Sequence, residues 1–313
     1  MLISVVIPTH NKCEVLFQTL QRLQAQTLSP ELYEIIVVGN NCTDNTEQVV
    51  KGMYRGSVDI HYVLEMREGR GAARNAGIYV ARAGIILFID DDIFVEPTHL
   101  EQHLTYHNGT PLAVMGRVWD VSKYPWGLGK YMLEKQFAGV WAFLDPTIDL
   151  ENVPGLYVAT GNLSVSRSAL ELIAMQNLHE DRILYFDESL LSRQDADLGV
   201  RLQSKGVRIK VARDIWSGHN HPRNWRGLQE RSQRSGYWAR IMMQKYPELA
   251  KAPKHIYSLP IAYGLLSLAV CISPFALMLF PFWRWPLFKC IGMWGAFETN
   301  RGYWSAEREM NNR

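Results

Sequence analysis

Cysteine is scarce: Cys13, Cys42, Cys271 and Cys290 are the four in 313 residues, and they form no CxxC pair and no metal-ligand spacing. A zinc ribbon and a disulfide scaffold are thereby excluded, and a reducing, cytosolic setting is expected. Charge of one sign is also lacking. The net charge is +2, so no global attraction draws the chain to nucleic acid, and no nucleic-acid partner is expected. A dinucleotide fingerprint is missing. The turn Gly69-Arg70-Gly71 would need its third glycine where Arg74 stands, and no N-terminal strand-turn carries the motif. The segment Met1–Pro8 has neither the basic stretch nor the long apolar run of a signal peptide, and none is expected.

What the chain has is an alternation of buried-strand and helix signals over its first hundred or so residues. Strands are expected at Ser4–Ile7, Glu34–Val38, Asp59–Leu64 and Ile85–Ile89. Helices are expected at Val15–Ala25, at Thr46–Met53 behind Asp44 or Asn45 as cap, and at Gly71–Ala83, ended by Gly84. This β-α order implies an α/β domain with a mostly parallel, Rossmann-like sheet flanked by helices. Ligands of such sheets bind beyond the carboxyl ends of the strands. The loops Thr9–Asn11, Gly39–Asp44 and Asp90–Asp92 all fall on that edge.

The apolar run Ile85–Ile89 ends in Asp90, Asp91 and Asp92. Three like charges at the end of a buried strand are unfavourable unless a positive group waits there. A divalent metal bound to phosphates meets that need, since hard cations take carboxylate oxygens; the alternative is a solvated acidic turn. Further on, His99, His103 and His107 stand at i, i+4 spacing, with no carboxylate or cysteine placed to join them. A solvated helix face is expected there. A helix is expected from Asp195 to Ser204, and a strand over Tyr157–Ser166, interrupted by Thr160-Gly161-Asn162. Trp119–Gly129 reads as a long surface loop, rich in glycine, proline and aromatics, that carries Tyr124 and Trp126.

Four patterns occur in one order: Val5-Val6-Ile7-Pro8-Thr9-His10-Asn11; Asn40-Asn41-Cys42-Thr43-Asp44; Gly71-Ala72-Ala73-Arg74-Asn75-Ala76-Gly77 followed by Asp90-Asp91-Asp92; and Gln194-Asp195-Ala196-Asp197. Together they resemble the family 2 glycosyltransferases of bacterial type, inverting enzymes with the GT-A fold, over roughly Met1 to Trp238. The resemblance implies that Pro8, Thr9 and Asn11 line the base and ribose of a sugar nucleotide, a UDP-sugar being the expected donor. Asp90 and Asp92 match the DxD pair, and Asp195 the catalytic aspartate. Gly161 and Asn162 lie in the stretch bordering acceptor and donor sugar, and His219 matches a late metal-binding histidine, with His221 as its close alternative. Asp90, Asp92 and His219 are thus the expected ligands of Mg2+ or Mn2+, with Asp91 and Asn40 adjoining the donor. Arg70 and Arg74 could add fixed positive charge near the diphosphate.

The sequence departs from that pattern in three places. The second strand, which usually ends in an aspartate, ends here in Gly39-Asn40; Gln194 stands where glutamate is usual; and no QxxRW signature is present. The last departure favours addition of a single sugar over polymer extension. Asp195 is also a natural helix-capping residue, and Asp197 is expected to be structural. The rival readings are a nucleotidyltransferase, which would want a basic Gly-rich loop near the N-terminus, and a non-catalytic sugar-nucleotide-binding protein.

Leu259–Trp283 contains no charged residue and is long enough to cross a bilayer, but Pro260, Pro274 and Pro281 break it and basic residues flank both sides. A bent, membrane-associating helical segment on the cytoplasmic face of the inner membrane is expected, which suits a glycan or lipid-linked acceptor. The basic run Arg223–Lys245 just before it could meet anionic head groups. The organisation expected is a nucleotide-sugar-binding half (1–105), an acceptor-binding and catalytic half (106–240) and a C-terminal helical membrane-associating region (241–313).

Overall fold

Strand β1 (Ile3–Thr9) is buried along its whole length, and its alternation splits the interior into two layers. Ile3, Val5 and Ile7 share one layer with Leu16, Leu20 and Leu23 of helix α1 (Cys13–Gln24). Val6 shares the other with Ala73 and Ile78. Each fully buried aliphatic side chain of this kind contributes about 1.5–3 kcal/mol, so the strand is the anchor of both layers. The computed structural model describes residues 1–54, 57–121, 149–177, 181–220, 225–247 and 305.

The chain continues through β2 (Tyr33–Asn40), α2 (Thr46–Gly52), β3 (Asp59–Glu65), α3 (Arg70–Val80), β4 (Ile85–Ile89), β5 (Ile93–Val95), α4 (His99–Tyr106) and β6 (Leu112–Asp120). Then come β7 (Asn162–Ser166), α5 (Arg167–Glu171), a β8–β9 ribbon (Met175–Asn177, Arg182–Leu184), α6 (Gln194–Ser204), β10 (Arg208–His219) and α7 (Trp225–Lys245). The eight-stranded sheet runs β3-β2-β1-β4-β7-β6-β10-β5. Its first four strands are parallel, as are β6 and β10; β7 runs antiparallel between β4 and β6, and β5 antiparallel to β10. The order reverses at β1, so the crevice beyond β1 and β4 is the topological switch point where ligands of such sheets sit.

The expected strands and helices of the first ninety or so residues are present. Helix α3 stops at Val80, earlier than its composition suggests. Glu34 captures the backbone N–H of Arg82 at 2.8 Å and its Nε at 2.9 Å, pulling the chain out of the helix. The strand expected from Tyr157 begins only at Asn162, because Gly155–Tyr157 forms a 3-10 turn. That turn is packed against α6: a Cβ on Gly199 would lie 2.2 Å from the Gly155 carbonyl oxygen. Two glycines therefore set how closely α6, with Asp195 at its start, approaches the sheet.

The chain divides into two compact units, 1–122 with 136–221, and 123–135 with 222–313. The first holds the whole sheet; in the second, α7 is described. Among the described residues no helix is long and apolar enough to cross a membrane. Leu259–Trp283, Tyr124, Trp126 and His221 lie outside the described residues.

Gly199→Ala should cost about 2 kcal/mol of stability through overpacking. The expected readout is a lower urea midpoint with an unchanged far-ultraviolet circular dichroism spectrum. A midpoint equal to wild type would remove the close Gly155–Gly199 approach as a constraint on α6.

Candidate active site

The loops that follow β1 and β2 brace each other before any ligand arrives. Asn11, at a left-handed φ of 53°, accepts from the Thr43 N–H at 2.7 Å and the Asp44 N–H at 3.3 Å through its Oδ1. Asp44 returns the bond, accepting from the Cys13 N–H at 3.1 Å. Asn40 spends its amide on the scaffold: Nδ2 donates to the carbonyls of Glu65 (3.1 Å) and Arg67 (2.6 Å), and Oδ1 accepts from Gly69 N–H at 3.0 Å. At Gly39 a Cβ would lie 2.1 Å from Tyr62 Oη, so a phenol fills the space where a longer residue would project. Burial raises the pKa of Tyr62 to about 12, keeping it a neutral hydroxyl.

At the end of β4 the three aspartates divide between two cations. Asp91 and Asp92 are buried. Lys12 Nζ bridges them, 2.8 Å from Asp91 Oδ1 and 2.8 Å from Asp92 Oδ2. Thr9 Oγ1 donates to the other Asp91 oxygen at 2.9 Å, and Thr19 Oγ1 to the Asp91 carbonyl at 2.9 Å. His219 Nε2, at the end of β10, lies 3.0 Å from Asp92 Oδ1. Asp90 turns instead to Arg74, whose Nη2 is 3.1 Å away.

Burial would lower the pKa of Lys12, but Asp91 and Asp92 outweigh it and the ammonium is held charged. Burying two adjacent carboxylates is costly even with an ammonium between them. Asp91 accordingly titrates above the usual carboxylate range, raised first by burial and then by Asp92 and Asp90, against the pull of Lys12. Lys12 was not among the residues the motifs singled out. The signal that would have found it is charge balance: three adjacent aspartates demand cations, and Lys12 follows directly on the Asn11 loop.

Arg74 is buried against Phe186 and its guanidinium feels Asp90, Arg70 and Asp195; burial, the largest of these influences, lowers its pKa. Arg70, Arg74, Asp90 and Asp195 therefore share one electrostatic neighbourhood. Asp195 is half-buried in the first turn of α6, its Oδ1 accepting the Ala196 N–H at 2.9 Å, behind Arg193 at a left-handed φ of 63°. Asp197 has a different place. It is wholly buried and paired with Arg201 Nε at 2.9 Å, and Arg201 in turn donates to the Ile173 carbonyl at 2.9 Å. Asp197 holds the helix down; Asp195 faces the charged neighbourhood.

A metal ion fits this donor set in part. Asp92 and His219 present a carboxylate and an imidazole at one point, and Lys12 stands there as a cation. Asp90 is drawn away by Arg74, so Asp90, Asp92 and His219 do not converge as one group of three. Among the described residues the group that does converge is Glu34, Asp59 and His61. It lies at the amino ends of β2 and β3, away from the switch point, and Arg82 already pairs with both of its carboxylates.

His99, His103 and His107 are not a solvated face. His99 and His103 are wholly buried, and they zip onto β7. Four helical residues rise about 6 Å and two strand residues about 6.8 Å, so the turns of α4 match Asn162 and Ser164. Asn162 Oδ1 can only accept, so His99 (3.1 Å) and His103 (2.8 Å) both donate to it from Nε2. His103 Nδ1 then accepts from Ser164 Oγ at 2.9 Å, and Ser164 accepts from His107 Nε2 at 2.8 Å. Asn162 Nδ2 donates onward to Ser217 Oγ at 3.1 Å, two residues before His219 on β10. The partners lie some sixty residues away in sequence, which is why the spacing alone reads as surface. Pro8 lies in β1 beside Val38, and Gly161 offers its carbonyl to the Asp90 N–H at 3.5 Å.

The model of the family described as "Glycosyl transferase family 2" matches residues 4–171. A validoxylamine A glucosyltransferase of Streptomyces hygroscopicus subsp. limoneus is 29% identical over 244 residues, covering 69% of this chain and 51% of that protein. The chain thus spans about half the length of that relative. An uncharacterized glycosyltransferase of Bacillus subtilis (strain 168), YfnE, is 25% identical over 302 residues, covering 81% of this chain and 72% of its own. Two solved structures share the fold. A mannosyltransferase from Pyrobaculum calidifontis in complex with GDP-Man and Mn2+ has a TM-score of 0.60 at 18% identity, covering 95% of this chain and 86% of that one. S. aureus TarS in complex with UDP-GlcNAc has a TM-score of 0.53 at 16% identity, covering 100% and 92%.

The histidine zip makes the fold acid-labile. Burial pushes the pKa values of His99 and His107 down to about 4 and that of His103 well below the ordinary 6.5. In the unfolded chain these groups take up protons from about pH 6.5 downward, whereas the folded protein resists. Stability is therefore fully present above pH 6.5 and is lost as pH falls toward 4. The urea midpoint should fall between pH 7 and pH 5, and the slope should shrink in His103→Gln. A flat profile over that interval is the result that excludes neutral, buried imidazoles.

Proposed function

Because this chain belongs to glycosyl transferase family 2, we propose that it transfers a single sugar from a nucleotide-sugar donor, with inversion, to a hydroxyl of a glycan or lipid-linked acceptor. The observation that carries this reading is the juxtaposition at the switch point. A buried carboxylate pair, Asp91 and Asp92, bridged by Lys12, lies with His219 on one side. Arg74 links the neighbourhood of Asp90 to that of Asp195 on the other. An anionic leaving group and a base are the two things glycosyl transfer to an alcohol requires.

Asp92 and His219 would hold Mg2+ or Mn2+, ions that keep few protein ligands. When bound, the metal supplies Lewis-acid stabilisation of the departing diphosphate. Arg70 and Arg74 add fixed positive charge where that negative charge grows. Asp195 is the general base: its free oxygen takes the proton of the acceptor hydroxyl on the face opposite the leaving group. A direct displacement of this kind inverts the anomeric centre without a covalent enzyme intermediate. Pro8, Thr9 and Asn11 border the nucleoside, and the neutral phenol of Tyr62 stands where the second strand ends without an aspartate. A UDP-sugar is the donor proposed, on the resemblance of the motifs; the structural neighbours, solved with UDP-GlcNAc and with GDP-Man, support a nucleotide-sugar of either base. The cytoplasmic face of the membrane is the proposed location, because Leu259–Trp283 is uncharged and flanked by basic residues.

Asp195→Asn should abolish transfer while donor affinity stays within about tenfold, some 1.4 kcal/mol. Asp92→Ala should weaken binding of UDP measured calorimetrically with Mn2+, and EDTA should abolish donor turnover by the wild type. Near-normal transfer by Asp195→Asn removes it as the base, and turnover untouched by EDTA removes the metal.

A further inference from the structure

The acidic centre already holds a cation of its own. Lys12 caps it from the solvent side: its side chain is 35% exposed, whereas those of Asp91 and Asp92 are 7% and 4% exposed. The root of Lys12 is fixed, since Asn11 before it is tied to Thr43 and Asp44, and the Cys13 N–H after it is tied to Asp44. The four-carbon stem beyond that root is free to turn, and a lysine ammonium is a compact point charge. Asp92 is divided between two neighbours, Lys12 on Oδ2 and His219 on Oδ1.

We propose that Lys12 is an exchangeable counter-cation that couples divalent-metal binding to nucleotide binding. The inference rests on the donor-site reading above and deepens it. In the resting state Lys12 neutralises part of the carboxylate charge and holds Asp91 Oδ1 and Asp92 Oδ2, beside the Asp92 oxygen that faces His219. A divalent ion between Asp92 Oδ1 and His219 would lie across one carboxylate from the ammonium on Oδ2, and two cations that close repel strongly in a buried site. A free metal must therefore displace Lys12 with nothing to receive the ammonium. A metal arriving with a nucleoside diphosphate brings the phosphate oxygens that receive it, and Lys12 turns from the aspartates to the diphosphate. The result is positive coupling between the two ligands, and such coupling is reciprocal.

The test is Mn2+ titration of the full-length protein, with free ion followed by electron paramagnetic resonance, and UDP titration by calorimetry in saturating Mn2+. In Lys12→Met, Mn2+ alone should bind about tenfold more tightly, because its competitor is gone. UDP with Mn2+ should bind about tenfold more weakly, in the range of one lost charge-assisted hydrogen bond. Lys12→Gln should move both constants the same way and guards against a Met variant that does not fold, while Lys12→Arg should restore the wild-type order. Where the wild type binds both ligands, constants unchanged in Lys12→Met and Lys12→Gln, or Mn2+ binding weakened by Lys12→Met, overturn the coupling alone. Wild-type protein that binds neither Mn2+ nor UDP overturns the coupling together with the donor site beneath it.

Discussion

The structure depends on how three adjacent aspartates are tolerated at the end of a buried strand. Asp90, Asp91 and Asp92 cannot all stay charged beside one another in a dry interior without compensation. The fold divides them between two cations: Arg74 takes Asp90, and Lys12 takes Asp91 and Asp92. Each cation comes from a different element, α3 and the loop after β1. Satisfying the aspartates therefore fixes the relative positions of β1, α3 and β4. Arg74 is buried and Lys12 is partly exposed, so the ion pair at Asp91 and Asp92 is the one whose cation can exchange.

The second layer of organisation is polar and buried. Asn162, at the start of β7 beside the end of β4, receives two imidazoles and passes its amide to Ser217 on β10. The network thus ties α4, β7 and β10 behind the strand ends that carry Asp90, Gly161 and His219. Its members are neutral and mutually paired, so it rigidifies without adding charge to a region already crowded with it. A hydrophobic α4 would bury as well, but would not specify the register of Asn162.

Much of this was legible in the sequence, for physical reasons that can be named. A run such as Ile85–Ile89 ending in three aspartates is readable because burial and charge are both local properties. The strand–helix alternation up to β4 is readable because each element carries its own period. The right-hand part of the sheet was not readable. β10 is interrupted by a bulge between Val211 and Trp216, which breaks the alternation expected of a strand. β6 and β7, though neighbours in the sheet, are separated by a long stretch of chain. The histidines of α4 and Lys12 were misread or passed over for one reason: each is explained by a partner some sixty to eighty residues away.

The loops around the acidic centre show where rigidity was placed. Asn11, Asn41 and Arg193 all have positive φ, a conformation that disfavours non-glycine residues. They follow β1, follow β2 and precede α6, the elements that border the switch point. Such backbone is kept only when its surroundings over-determine it. At Asn11 the surroundings are visible, in the bonds to Thr43 and Asp44 and the return bond from Cys13 to Asp44. The backbone at this edge is thus fixed before a ligand arrives, and Arg74 and Asp90 are locked to each other. Adjustment to an incoming anion falls instead to a side chain that is partly exposed, unbranched and anchored at its root, and Lys12 has all three properties.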